Sequence, residues 1–143
     1  MILGITGGVG AGKSSVLAIL EKEYNAKLIL ADEVGRELMQ PGEANYVNIV
    51  NAFGKEILNE DQTIDTKKLA ATAFSNPLET LRLNAITHPN VRVRIEWMIK
   101  EIRDKEPDAL IVIEAALLSE GHLIPLCMMY GIFTLMSRHV LNV

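Results

Sequence analysis
The run Gly7-Gly8-Val9-Gly10-Ala11-Gly12-Lys13-Ser14 constrains this chain most, because it fits GxxxxGK[ST] between an apolar run at residues 1–6 and a helical pattern. The glycines stop a buried strand in a tight loop. Val16, Ile19, Leu20 and Tyr24 then recur at the spacing of one helix face, with Lys and Glu on the other. A second buried strand is expected over residues 26–30. Strand, loop, helix and strand in that order need a crossover, so the strands should be parallel and the fold class α/β.

In a loop of this kind successive backbone N–H groups converge on a phosphate, and the positive end of the following helix adds to them. The expected ATP-binding residues are therefore Gly7, Gly8, Val9, Gly10, Ala11, Gly12, Lys13, Ser14 and Ser15. Lys13 should reach the β- and γ-phosphates and Ser14 should ligate Mg²⁺. The plainer alternative is a glycine-rich turn that holds no ligand.

Composition narrows the partners. A chain of 143 residues, 49% of them hydrophobic, makes one soluble globular domain that needs neither metal nor disulfide to hold its core. The single Cys127 excludes a disulfide framework within one chain and fits a reducing cytoplasm. A net charge of -4 argues against general nucleic-acid or anionic-membrane binding, since both need a basic footprint. The apolar run at residues 123–136 is interrupted by Pro125 and Gly131 and falls short of the roughly 18 residues that span a bilayer. The N-terminal apolar stretch has no positive flank and breaks into glycines, so no export signal is expected.

The remainder divides into three parts. Residues 32–105 read as helical almost throughout, far longer than a crossover requires, and so as an insertion into a core formed by residues 1–31 and 106–121. Within the insertion, Asn76-Pro77 followed by Glu79 resembles a capped helix start, and Ile95, Met98, Ile99 and Ile102 lay an apolar face on a later helix. Residues 109–113 read as a third buried strand. Residues 122–143 form an atypical tail, with no acidic residue and an apolar spacing that suits neither a clean strand nor a clean amphipathic helix.

Two acidic residues fall at expected strand ends, where parallel sheets open onto ligands. Asp32 follows the second strand and could accept a proton from a substrate hydroxyl, or could instead cap a helix beginning at Glu33. Glu114 could meet Mg²⁺ through water or start the next helix.

The segments GITGGVGAGKSS, LADEVGREL, FGKEIL, IDTKKLA, LNAITHP and IEAALLSE, in that order, resemble the dephospho-coenzyme A kinases, and the likeness runs from Met1 to about Gly121. The resemblance implies a P-loop core, a helical substrate domain and a lid, and transfer of phosphate from Mg-ATP to the ribose 3′-hydroxyl of dephospho-CoA. It places the catalytic base at Asp32, alongside Lys13, and substrate-side residues at Asn84, His88 and Leu117. Read locally, His88-Pro89 could be no more than a helix-breaking junction.

The chain also departs from the family pattern. Leu30-Ala31-Asp32 stands where Asp-Ala-Asp is usual, and Glu114-Ala115-Ala116-Leu117-Leu118 where a DxPLL segment is usual. Beyond Gly121 the family's Val-Trp-rich strand and Arg-bearing lid find no match, and Arg138 has no motif context. Codon arithmetic offers an account. Met128-Met129 fixes ATG-ATG, and the frame read from the third base of the Cys127 codon forces Asp-Val and permits YDVWYIY, close to the family's strand. A frameshift between Gly121 and Cys127, leaving a C-terminally truncated kinase, is the expectation that follows. The function classes are thus a dephospho-CoA kinase, another P-loop small-metabolite kinase, or a non-catalytic remnant that binds nucleotide phosphates. A GTPase is disfavoured, since no [NT]KxD segment occurs.

Overall fold
A computed structural model describes residues 1–6, 13–115 and 133–136. The order is β1 (Ile2–Thr6), α1 (Lys13–Tyr24), β2 (Lys27–Leu30), α2 (Ala31–Leu38), α3 (Ala44–Phe53), a 3₁₀ turn (Lys55–Ile57), α4 (Thr66–Ala73), α5 (Pro77–Lys105), β3 (Ile111–Ala115) and β4 (Phe133–Met136). The chain divides into two compact units, Met1–Asp32 with Arg92–Val143, and Glu33–Val91.

The first unit is built on a parallel sheet in the order β2-β3-β1-β4. Strands this apolar on both faces need cover on both sides. On one face Leu3, Ile5, Leu28 and Val112 pack with Leu17 and Leu20 of α1. On the other, Ile2, Ile29, Ile111 and Ile113 are buried, and in the same unit α5 buries Ile95 and Ile99 one turn apart. Each such isoleucine removed from water contributes roughly 1.5–3 kcal/mol.

Three expectations are corrected here. The α1 stripe is carried by Leu17 and Leu20, whereas Val16, Ile19 and Tyr24 are 40%, 51% and 64% exposed. Helical periodicity allowed either stripe, and the orientation of α1 on the sheet selected one of them. The third strand begins two residues late, because Ala109 N closes a turn on Glu106 O, and the ladder opens only with Lys27 N donating to Leu110 O at 2.8 Å and Ile111 N to Met1 O at 3.1 Å. The tail, which reads as no clean element, supplies β4, paired parallel to β1 from Leu3↔Phe133 to Thr6↔Met136. The edge of β1 is thus covered, because backbone pairing asks only for an extended segment in register, not for a recognisable side-chain pattern.

The second unit is helical. Ile49, Ile57, Ile64 and Leu69 form its core, with Met39, Tyr46, Phe53, Leu58, Leu83 and Ile86 around them. Gly54 ends α3 at φ +84, and its N–H donates to Val50 O at 2.9 Å. A glycine adopts that conformation without the steric penalty of a Cβ. Asp65 caps α4 by accepting from Lys67 N at 3.0 Å and Lys68 N at 3.2 Å. Asn76 caps α5 through Oδ1, which accepts from Glu79 N at 3.0 Å, with Pro77 in the first position. The expected start at Asn76 is therefore observed.

The helix it opens does not break at His88-Pro89. It runs as one element of 29 residues with Pro89 inside. Proline removes the N–H that would reach Ala85 O, but Ala85 and Pro89 are both exposed, so water can serve that carbonyl while the buried face holds the helix together.

Candidate functional site
The parallel register collects chemistry at one edge of the sheet. Thr6 at the end of β1 pairs with Ala115, and Leu30 at the end of β2 pairs with Glu114. From this carboxyl edge β1 leads into residues 7–12 and thence to Lys13, the first residue of α1, while β2 leads directly to Asp32. Between them lies β3, which carries Glu114 opposite both Ile5 and Leu30. Gly7, Gly8, Val9, Gly10, Ala11, Gly12 and Leu117 lie outside the described residues.

Side-chain alternation places Glu114 more closely. It stands two residues after Val112 and in register with Ile5, and both of those pack on the α1 face of the sheet. Glu114 therefore shares the face covered by α1, at the end where α1 begins. The alternative that it starts a helix is not observed, since the strand continues to Ala115.

Asp32 is the second residue of α2, which begins at Ala31 rather than Glu33. The expected capping of a helix from Glu33 is thus displaced by an immediate strand-to-helix transition. Asp32 is exposed, and among the described residues no hydrogen bond or ion pair engages its carboxylate. Ser14 and Ser15 are exposed in the first turn of α1.

Ser14 and Glu114 offer the oxygen ligands that Mg²⁺ prefers, and Mg²⁺ ordinarily takes few protein ligands beside phosphate and water. Among the described residues no cluster of three or more His, Cys, Asp or Glu could hold an ion without such a partner. No described helix is long and apolar enough to cross a membrane.

In the helical unit, Asn84 and His88 are half-buried and stand four residues apart on α5, hence on one face of it. Val91 continues that face and lies 4.0 Å from where a Cβ on Gly35 of α2 would be. The neighbouring face holds a polar network that the sequence did not announce. Asn45 of α3 is completely buried, accepts at Oδ1 from Asn90 Nδ2 at 2.7 Å, and donates to Thr87 O at 3.5 Å. Its neighbours in sequence carry no motif, and only tertiary packing distinguishes it from an exposed asparagine.

Comparison with known proteins adds a second line. The family profile of dephospho-CoA kinase matches residues 1–137. A dephospho-CoA kinase of Moorella thermoacetica is 42% identical over 120 residues, which are 84% of this chain and 56% of that protein. One from Vibrio parahaemolyticus is 37% identical over 128 residues, 89% of this chain and 60% of that protein. In solved structures, a dephospho-CoA kinase from Campylobacter jejuni superposes with a TM-score of 0.69 at 26% identity, covering 94% of this chain and 64% of that one. The chain thus spans somewhat over half the length of the curated relatives it matches.

Proposed function
This chain belongs to the dephospho-CoA kinase family, and from that premise we propose that it transfers phosphate from Mg-ATP to the ribose 3′-hydroxyl of dephospho-CoA, the last step of coenzyme A biosynthesis. The observation that carries the reading is the shared carboxyl edge of β1, β2 and β3: β2 ends there two residues before Asp32, β3 carries Glu114 there, and β1 ends there before the segment that leads to Lys13.

The roles follow from charge and proton balance. The 3′-oxygen forms a bond to the γ-phosphorus as the bond to the β–γ bridging oxygen breaks, so the hydroxyl proton needs an acceptor and the leaving ADP needs its charge neutralised. Asp32, exposed and unengaged among the described residues, takes the proton. Lys13 supplies positive charge at the β- and γ-phosphates. Ser14, and Glu114 through water, would hold Mg²⁺, which supplies neutralisation of the oxygens in transfer. Residues 7–12 supply backbone N–H groups to the phosphates.

The helical segment takes the substrate side, with Asn84 and His88 on one face of α5 and Leu117 following β3 from the core. Nucleotide binding is assigned to residues 1–31 and 106–121 and substrate binding to residues 32–105, of which residues 92–105 belong to the compact unit that holds the sheet. The acidic charge and single cysteine fit a cytoplasmic enzyme acting on a small molecule.

Formation of CoA from ATP and dephospho-CoA by the purified chain tests this directly. Turnover with dephospho-CoA and none with adenosine or other small hydroxyl acceptors is the expected result. Binding of ATP without turnover would overturn it and leave a chain that only holds nucleotide phosphates.

A further inference from the structure
The turn of α5 that contains His88 is unusually dependent on side chains. Pro89 lacks the N–H that would hold Ala85 O. Thr87 Oγ1 donates back to Leu83 O at 3.1 Å, and Asn90 Nδ2 donates back to Ile86 O at 3.3 Å. Back-bonding of this kind loosens a helix and lets it bend, so proline and two back-bonds fall within a stretch of eight residues. Something outside the helix must select one geometry for it.

Asn45 is placed to do that. It is the buried polar residue among the described residues, at 0% exposure, and it reaches the turn on both sides of His88. Its Oδ1 accepts from Asn90 Nδ2 at 2.7 Å, and its Nδ2 makes a longer, weaker contact with Thr87 O at 3.5 Å. A buried amide left unpaired is unfavourable, so the packing of α3 on α5 that pairs Asn45 is favoured over rotated alternatives. An apolar residue at position 45 would fill the space yet leave the rotation of the turn unspecified.

We infer that Asn45 is a positioning residue for substrate, fixing through Thr87 and Asn90 the rotation of the proline-containing turn and so the direction in which α5 presents His88 and Asn84. The inference rests on the substrate-side role given to that face under the proposed function. Asn45 touches no substrate itself. It acts through the helix.

The test compares wild type, Asn45→Leu and Asn90→Ala by calorimetry with dephospho-CoA and, separately, with ATP, and by the ¹H–¹³C imidazole signal of His88, assigned with His88→Gln. Asn90→Ala removes the same 2.7 Å bond from its half-buried end, and it keeps the question open to decision if Asn45→Leu does not fold. Dephospho-CoA affinity should fall about tenfold in the variants, ATP affinity should hold, and the His88 signal should shift. Unchanged dephospho-CoA affinity with an unmoved His88 signal overturns the inference and leaves the proposed function standing. Equal weakening of ATP and dephospho-CoA also overturns it, since that is general loosening of the fold. Failure of wild type to bind dephospho-CoA is a failure of the functional reading, visible without any variant. The His88 signal then decides whether Asn45 sets the turn.

Discussion

The sheet unit and the helical unit handle polar groups in opposite ways. In the sheet unit both faces are apolar, and Asp32 and Glu114 occur where strands end, at the carboxyl edge. In the helical unit a buried asparagine sits inside the packing, bonded to a neighbouring helix. A parallel ladder satisfies its own backbone, so the sheet is specified by hydrophobic pattern and register, and its chemistry is left for the ends. Helices also satisfy their own backbone but slide and rotate on apolar contacts, and a buried hydrogen bond restricts that freedom. Reactive groups are therefore expected in the first unit and orienting groups in the second.

The sharpest way to break this comparison is Asp32→Asn. With dephospho-CoA binding intact, kcat should fall by about 10²- to 10⁴-fold, the contribution of a general base. If only KM changes in steady-state kinetics, Asp32 belongs with the orienting groups and the division of labour fails.

Cavities in the two cores come next. Ile113→Ala in the sheet unit and Ile49→Ala in the helical unit should each cost about 2–5 kcal/mol, because both side chains are fully buried. Urea unfolding monitored by circular dichroism measures both. A loss below about 1 kcal/mol at Ile49 would mean that the helical unit is held by its polar bonds and not by a packed core.

Lys13→Ala should weaken ATP binding by roughly 10- to 100-fold, the worth of a charge-assisted bond to phosphate, without changing dephospho-CoA affinity. Equal ATP affinity in calorimetry would remove the phosphate assignment from the edge of the sheet.

Smaller effects sharpen the description of the helical unit. Asp65→Ala removes a cap whose carboxylate accepts two backbone N–H bonds, and it should destabilise by about 1 kcal/mol, read as a lower urea midpoint. Asp61 gives the smallest effect and the one with a pH signature. Bonds from the Thr63 hydroxyl, and then from Thr63 N, hold its carboxyl below its ordinary value of 3.8. A depressed folded-state pKa favours folding above 3.8, and the advantage fades as pH falls through the lower folded value. Comparing wild type with Asp61→Asn in denaturation between pH 2 and pH 5 (about the carboxylate range) should show a slightly steeper acid loss in wild type. Identical profiles would mean that the turn forms no differential bond on folding.

Much of this molecule was legible because its signals are local. Glycines after an apolar run, followed by a helical period, mark the end of β1 and the start of α1 in adjacent residues. Asn76-Pro77 with Glu79 carries the start of α5 in the same way, since a cap and its N–H lie three residues apart. The places where local reading failed are equally specific. Val16 and Ile19 are apolar at helical spacing yet exposed, Pro89 sits within a continuous helix, and the unpatterned tail supplies a strand.

In each failure the deciding partner is remote in sequence. Which stripe of α1 is buried depends on where the sheet lies, and a proline is tolerated because its turn faces water while Val91, Ile95 and Ile99 remain buried. Residues 133–136 become a strand only because β1 offers an unpaired edge. Asn45 becomes the only buried polar residue among the described residues because Asn90, forty-five positions away, completes its hydrogen bond. Periodicity and turn chemistry, which act over a few residues, were enough to read the α/β class and to set Asp32 just past β2 and Glu114 near the end of β3. The tertiary structure alone decided the register that gathers those ends at one edge and the burial that turns an asparagine into a clamp, because hydrogen bonding and burial there are settled between segments that meet only in the folded chain.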